Sequence, residues 1–236
     1  MILKADLHIH TIASGHAFST VNEIAAEAAR KGLEAVGIAD HGPALPGSPH
    51  HFYFPCLKFI PDVIGGVRIF KGVEANILGR GEVDLAESLL ERLDFAIAGF
   101  HDHAGYRGET LEEHTEALVS VMQNPMIRII AHPGNPRFPI DLERVVKTAV
   151  ETGTALEINN ASFIGSRHGS EGNCREIARL CARFGAPVAV SSDAHIAQAV
   201  GGLDAALEVV LEAGIPWDKI VTRDLASTLA FLGLEK

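Results

Sequence analysis

Short apolar runs in this chain end repeatedly in histidine or a carboxylate. Seven of the twelve histidines close or closely follow such runs: Asp6-Leu7-His8-Ile9-His10, with His16 a few residues beyond, Ala39-Asp40-His41, Gly99-Phe100-His101, Ala131-His132 and Ser192-Asp193-Ala194-His195. Gly72-Val73-Glu74 ends in a carboxylate. Side chains alternate along a strand, so His8 points with His10, and Asp193 with His195. Neutral imidazole and carboxylate are the usual ligands of zinc and other first-row divalent metals, and one strand end seldom supplies a whole site. The pattern therefore requires a fold that gathers several strand ends.

Apolar runs alternate with helical patterns along the chain. The pattern predicts strands over 4–10, 35–40, 67–74, 95–100, 127–131, 155–159 and 188–192, with helices over 21–31, 85–91, 111–123, 142–152, 174–184, 203–213 and 224–231. Thr20 and Glu23 have the spacing of a capping box, and Gly32, Gly153, Gly185 and Gly214 stand where helices should stop. Such alternation favours a parallel sheet. An open sheet concentrates ligands at a switch point, whereas a closed barrel collects them from nearly every strand's carboxyl end. Nearly every run contributes here, which points to an α/β barrel of seven strands. The proline- and aromatic-rich stretch 42–61 reads as an excursion over the barrel mouth.

A length of 236 residues, 47% of them hydrophobic, suits one domain spanning 1–236. No run of eighteen apolar residues suggests a membrane span, and no basic segment with an apolar stretch opens the chain, so the expected location is cytoplasmic. Three cysteines without paired close spacing argue against a disulfide framework. Cys174 and Cys181 read as helix packing residues. The formal charge of −10 disfavours nonspecific nucleic-acid binding, which relies on clustered Lys and Arg.

Other polar residues are read individually. His103 shares a face with His101 and reads as a pocket-wall or supporting residue; His50 and His51 read equally as substrate contacts or loop packing. His114, beside Glu113 and Glu116 on a helical pattern, reads as solvated. Asp6 and Asp40 point away from the metal side by alternation and serve to orient a ligand histidine or cap a turn. Asn76, Asn159 and Asn160 divide between substrate contact and turn satisfaction. Arg137 and Arg167, each in a glycine- or proline-flanked loop, are candidate phosphate clamps or simple surface charges.

The ordered set Asp-Leu-His-Ile-His-Thr at 6–11, Ala-Asp-His-Gly at 39–42, Gly-Val-Glu-Ala-Asn at 72–76, Ala-His-Pro-Gly at 131–134 and Ser-Asp-Ala-His at 192–195 resembles the PHP (polymerase and histidinol phosphatase) superfamily. Pro49-His-His51, Glu157-Ile-Asn-Asn160 and Ser170-Glu-Gly-Asn-Cys-Arg175 are most similar to its YcdX-type phosphatases. The resemblance covers nearly the whole chain. It implies a distorted, TIM-barrel-like (β/α)7 fold with three divalent ions at the carboxyl ends of the strands, usually Zn2+, with Mn2+ or Fe2+ as alternatives. It assigns His8, His10, Glu74 and Asp193 to one ion, Glu74 with His101 and His132 to a second, and His16, His41 and His195 to a third. Glu74, Asp193 and His195 would also carry the chemistry, hydrolysis of a small phosphomonoester by a metal-bound hydroxide. No Gly-x-Ser-x-Gly nucleophile elbow is present. Alternative activities are a phosphodiesterase or nuclease of the polymerase-PHP type, and histidinol-phosphate hydrolysis.

Overall fold

A computed structural model describes residues 1–235. Its strands are β1 (Ala5–Ile9), β2 (Ala35–Ile38), β3 (Val63–Ile64), β4 (Val67–Lys71), β5 (Glu74–Gly79), β6 (Glu82–Val83), β7 (Ala96–Gly99), β8 (Ile127–Ile130), β9 (Ala155–Asn159) and β10 (Val188–Ser191). The helices are α1 (Val21–Lys31), α2 (Tyr53–Cys56), α3 (Glu87–Leu90), α4 (Leu111–Val121), α5 (Leu142–Thr152), α6 (Ala161–Ile164), α7 (Glu171–Phe184), α8 (Asp204–Glu212) and α9 (Leu225–Leu232). Each predicted strand or helix overlaps an observed element of its type. The capping box of Thr20 and Glu23 starts α1, and left-handed Gly32, Gly153 and Gly185 end α1, α5 and α7.

The closed seven-stranded barrel does not form. The ladder divides into a four-stranded sheet, ordered β1-β2-β4-β3, and a six-stranded sheet, ordered β10-β9-β8-β7-β5-β6. Eight of these ten strands pair in parallel, and β3 and β6 add short antiparallel edges. The predicted strand over 67–74 is two strands. It breaks at Gly72-Val73, where a Cβ on Gly72 would overlap the ring of buried Phe95.

Between the sheets, among the described residues, the ladder reduces to isolated bridges, His41 with Glu74 on one side and Ile9 with Ala194 on the other. The second seam is stitched by main-chain bonds, among them His10 N–H to Ala194 O and Ala5 N–H to Thr222 O, and by side chains. Asp6 accepts the main-chain N–H groups of Ser192 and Gly201, and Thr222 both accepts from Val190 N–H and donates to Val190 O. Asp6 thus ties the seam through main-chain groups. The two sheets still share an interior: Ala5, Leu7, Phe70, Phe95, Ile129 and Ala189 form one buried cluster drawn from both. Helical side chains cover the outside, as when Ile24, Ala25 and Ala28 of α1 pack with Ile9, Val36 and Ile38. Among the described residues, no helix is long and apolar enough to cross a membrane.

Candidate metal centre

Strand β1 shows how the scaffold aims its ligands. Its register against β2 shifts between Asp6 and Ile9, where three steps on β1 match two on β2. Ala5 and Leu7 belong to the interior cluster, whereas Ile9 packs outward with α1. A bulge of this kind re-aims side chains. It lets His8 and His10 turn toward Glu74 and Asp193 on the side where Leu7 points, which strict alternation from Leu7 would not.

The seven histidines converge there with Glu74 and Asp193. Glu74 is fully buried and is the first residue of β5, not the last of β4. Its Oε1 faces His101 Nε2 at 3.1 Å and His132 Nε2 at 2.9 Å. Its Oε2 faces His41 Nδ1 at 2.8 Å, His8 Nε2 at 3.2 Å and His10 Nε2 at 3.4 Å. Asp193 Oδ1 lies 3.2 Å from His10 Nε2 and 3.6 Å from His8 Nε2. The His195 ring sits 4.3 Å from that of His10, and His16 closes the group 4.9 Å from His195 and 5.1 Å from His41, centroid to centroid.

Strand alternation is not what pairs Asp193 with His195. β10 stops at Ser191, and Asp193 has φ 58°. Of the four non-glycine residues with positive φ among the described residues, His132, Arg167 and Asp193 belong to this site, and His103 borders it. Such backbone is retained only where surrounding contacts over-determine it.

Residues behind the cluster orient it. Glu157 accepts from His8 Nδ1 at 2.7 Å, from the main-chain N–H of His132 at 2.7 Å and from Asn159 Nδ2 at 3.0 Å. Asp40 accepts from Thr11 N, Thr11 Oγ1, Ser14 Oγ and Tyr53 Oη, at 2.7, 2.8, 2.7 and 2.7 Å. Since the Ser14 hydroxyl donates to Asp40, its oxygen accepts from His10 Nδ1 at 3.1 Å and from His41 N–H at 3.2 Å. Asp40 therefore supports His10 through serine. Both His8 and His10 turn Nε2 inward, toward each other and the carboxylates, where a metal ligand atom is needed.

The three asparagines serve the scaffold. Asn76 Nδ2 donates to Asp84 and Gly42 O, Asn159 Nδ2 to Glu157 and Asp193, and Asn160 Oδ1 accepts from Ala206 N–H. No local pattern in the sequence marks Ser14 or Tyr53 for these supporting contacts. Glu157 did carry a signal, as a charge in the middle of the apolar run Ala155–Asn159.

Arg167 reaches the cluster and Arg137 does not. The Arg167 guanidinium pairs with Asp193 Oδ2, with its side chain 17% exposed, whereas Arg137, 66% exposed, pairs with Asp102, which is not in the ligand set. His50 and His51 are exposed on the excursion, with rings 3.8 Å apart, and His103 and His168 are exposed. His114 is buried, against the solvated reading: its two ring nitrogens face Pro139 O and Gly108 O. Cys174 and Cys181 are buried packing residues of α7.

Electrostatics prepare the same set for metal. Burial opposes ionisation of Glu74, but the rings of His8, His101 and His41 outweigh it and hold the carboxyl well below its usual range. Asp193 is likewise held low against burial by His8, His10 and Arg167. Burial and the neighbouring His41 push His10 well down, and burial with Arg167 pushes His132 down to about 4. In His8 burial is outweighed by Glu157, Glu74 and Asp193, which raise it, so metal binding there displaces a proton. Ionised carboxylates beside imidazoles held neutral at His10 and His132 are a ligand set.

Divalent ions fit this arrangement. His8 and His10 turn Nε2 atoms toward each other at 3.1 Å. His41 Nδ1 and Glu74 Oε2 are buried without a hydrogen-bond partner although they face each other. Buried polar atoms left this way need a shared partner. Three groups have ligand atoms within 4.8 Å of one another: His8, His10 and Asp193; His41, Glu74 and His101; and His10, His41 and His195.

Fold and cluster together define a class, a parallel-sheet α/β protein whose strand ends enclose nitrogen and oxygen ligands for divalent metal. The family follows from the sequence comparison: residues 6–161 match the model described as PHP domain, and residues 171–216 the one described as PHP-associated. The chain belongs to the PHP family. It is 56% identical over 231 residues to a protein of Syntrophotalea carbinolica named "Probable phosphatase", covering 98% of this chain and 96% of that one. An Acetivibrio thermocellus protein of the same name is 49% identical over 222 residues, covering 94% and 91%. The structure of histidinol phosphate phosphatase from Lactococcus lactis, complexed with zinc, L-histidinol and phosphate, superposes with TM-score 0.63 at 17% identity, covering 92% of this chain and 95% of that one. That last likeness is one of fold.

Proposed function

We propose that this protein is a metal-dependent phosphatase that hydrolyses a small phosphomonoester at a centre of three divalent ions, with zinc the expected metal. One observation carries the reading: a single buried carboxylate, Glu74, meets five histidine ring nitrogens within 2.8–3.4 Å. In this reading His8, His10, Glu74 and Asp193 hold one ion, Glu74, His101 and His132 a second, and His16, His41 and His195 the third. Ligands running from His8 to His195 support residues 1–236 acting as one domain. The names of the relatives support a phosphate-ester hydrolase.

Bound ions would supply a water acidic enough to attack phosphorus near neutral pH and would neutralise the phosphoryl oxygens. The chain supplies the rest. Glu157 and Ser14 would hold the rings of His8 and His10 in orientation, and the Arg167 fork, paired with Asp193, would bind phosphoryl oxygens. The buried Cys174 thiol, pushed up to about 12 by burial, is a poor nucleophile, consistent with direct attack by water.

The test is exhaustive chelation followed by elemental analysis and assay of a phosphomonoester, histidinol phosphate, a phosphodiester and single-stranded DNA in parallel. Loss of monoester turnover, with recovery on adding zinc or manganese, is expected. Full turnover without metal, or a faster diester reaction, would overturn the proposal.

A further inference from the structure

Among the candidate ligands His16 is the least enclosed: it is exposed, whereas His41 is buried and the His195 side chain is 32% exposed. It stands outside the three groups whose ligand atoms lie within 4.8 Å of one another, so a small displacement decides whether it reaches an ion. Its ring is nonetheless prepared. Nδ1 donates to Ser14 O at 3.0 Å, as His195 Nδ1 does to Asp193 O at 2.9 Å, so Nε2 is the nitrogen each ring can offer a metal. The main chain beside it belongs to the loop from β1 to α1. After the turn Ile12–Ser14, Gly15 has φ 79°, and its N–H donates to Ile12 O. Beyond His16, Phe18 N–H donates to His195 O at 2.8 Å.

Gly15 meets the excursion over 42–61 there. A Cβ on Gly15 would lie 2.3 Å from Gly47 O and 2.8 Å from Gly47 C, main-chain atoms with no side-chain torsion to swing them aside. Nor is the excursion free to retreat, because on either side of Gly47 it is tied to the scaffold: Ala44 N–H donates to Asp84 Oδ2 at 2.9 Å and Tyr53 Oη to Asp40 Oδ2 at 2.7 Å. A side chain at position 15 therefore displaces its own loop, and the next residue on that loop is His16. Resting on the three-ion reading above, we infer that Gly15 is a positioning residue for the third ion: its bare Cα seats the loop against Gly47, and that seat brings His16 to the site. Glycine is required twice over, by the left-handed backbone and by the contact. Gly153 separates the two requirements. It is left-handed at φ 72° with open space where a Cβ would go, so Gly153→Ala brings strain without collision.

Chelator competition with zinc, read against elemental analysis, gives the number of ions per chain and the affinity of the weakest. The parent should hold three. Gly15→Ala should hold the third about 10–100-fold more weakly with the other two unchanged, and Gly153→Ala should match the parent. In a His16→Ala background, adding Gly15→Ala should change neither the ion count nor the remaining affinities, because both substitutions act through one side chain. Parental affinity in folded Gly15→Ala, or an equal loss in Gly153→Ala, overturns the inference. So does a further loss in the double variant, which would route the effect through Ser14 and His10. Hydrogen exchange on the parent requires no variant: filling the third site should slow the amides of 12–19 and of 44–50 together, and slowing of the first segment alone also overturns the inference. Fewer than three ions in the parent would defeat the three-ion reading itself, and this role for Gly15 with it.

Discussion

His8 donates through Nδ1 to Glu157 Oε1 at 2.7 Å, across 149 residues of sequence, while the other oxygen of that carboxylate accepts the main-chain N–H of His132 at 2.7 Å. One carboxylate thus fixes the ring of one candidate ligand and the backbone of another. Glu157→Gln keeps the shape but loses the charge that favours the Nδ1–H tautomer. It should weaken metal binding about 10–100-fold with the fold intact. Competition against a chromophoric chelator measures this, and parental affinity in the variant would remove Glu157 from the supporting set.

Glu74 presents one oxygen to His101 and His132 and the other to His8, His10 and His41. Glu74→Gln replaces one of those oxygens with an NH2 group that cannot bind a cation. The variant should carry at least one fewer ion per chain than the parent and lose about 100-fold or more in kcat. Elemental analysis beside steady-state assay decides; full occupancy with full rate would show that the carboxylate does not bridge.

Arg167 is half-buried against Asp193, and lysine cannot reproduce its planar fork. Arg167→Lys should raise both KM for a phosphomonoester and the inhibition constant of inorganic phosphate by about tenfold to a hundredfold. Parallel change in both constants is the signature of a phosphate contact. A variant that loses rate while phosphate inhibition stays constant would place the arginine elsewhere in the reaction.

Cys181 is buried in α7, and burial alone pushes its thiol up to about 12 from 9.0. Below the unfolded value both states carry the neutral thiol, so its contribution is complete there. Between about pH 9 and 12 the unfolded chain ionises and the folded one does not, so stability falls by up to about 1.4 kcal/mol per pH unit. Cys181→Ala should lower stability by a roughly constant cavity penalty yet decline less steeply with alkali. Urea midpoints at about pH 8 and about pH 10.5 measure the two slopes; identical slopes would refute this account.

The order of strands and helices was legible because it depends on local pattern: apolar runs, capping residues such as Thr20 and Glu23, and glycines where helices stop. The candidate cluster was legible for a related reason. His8, His10, Glu74 and Asp193 are of ligand type, and their place at the ends of apolar runs requires convergence. The sequence alone had no means to report the kink at Gly72-Val73, because its cause is the ring of Phe95, more than twenty residues away, in the space a side chain would need. The same holds for His114, whose burial comes from Pro139 O and Gly108 O closing on its ring.

Residue type and periodicity, both local, by themselves determined which elements form and which side chains are competent to hold metal. Tertiary structure decided the rest: two sheets in place of one closed ring, a bulge in β1 that admits His8, and the choice of Arg167 over Arg137 beside the ligands. Each of these depends on which distant atoms fill a given volume or satisfy a given buried polar group. Packing and hydrogen bonding between residues far apart in the chain set those outcomes, and no local periodicity encodes them.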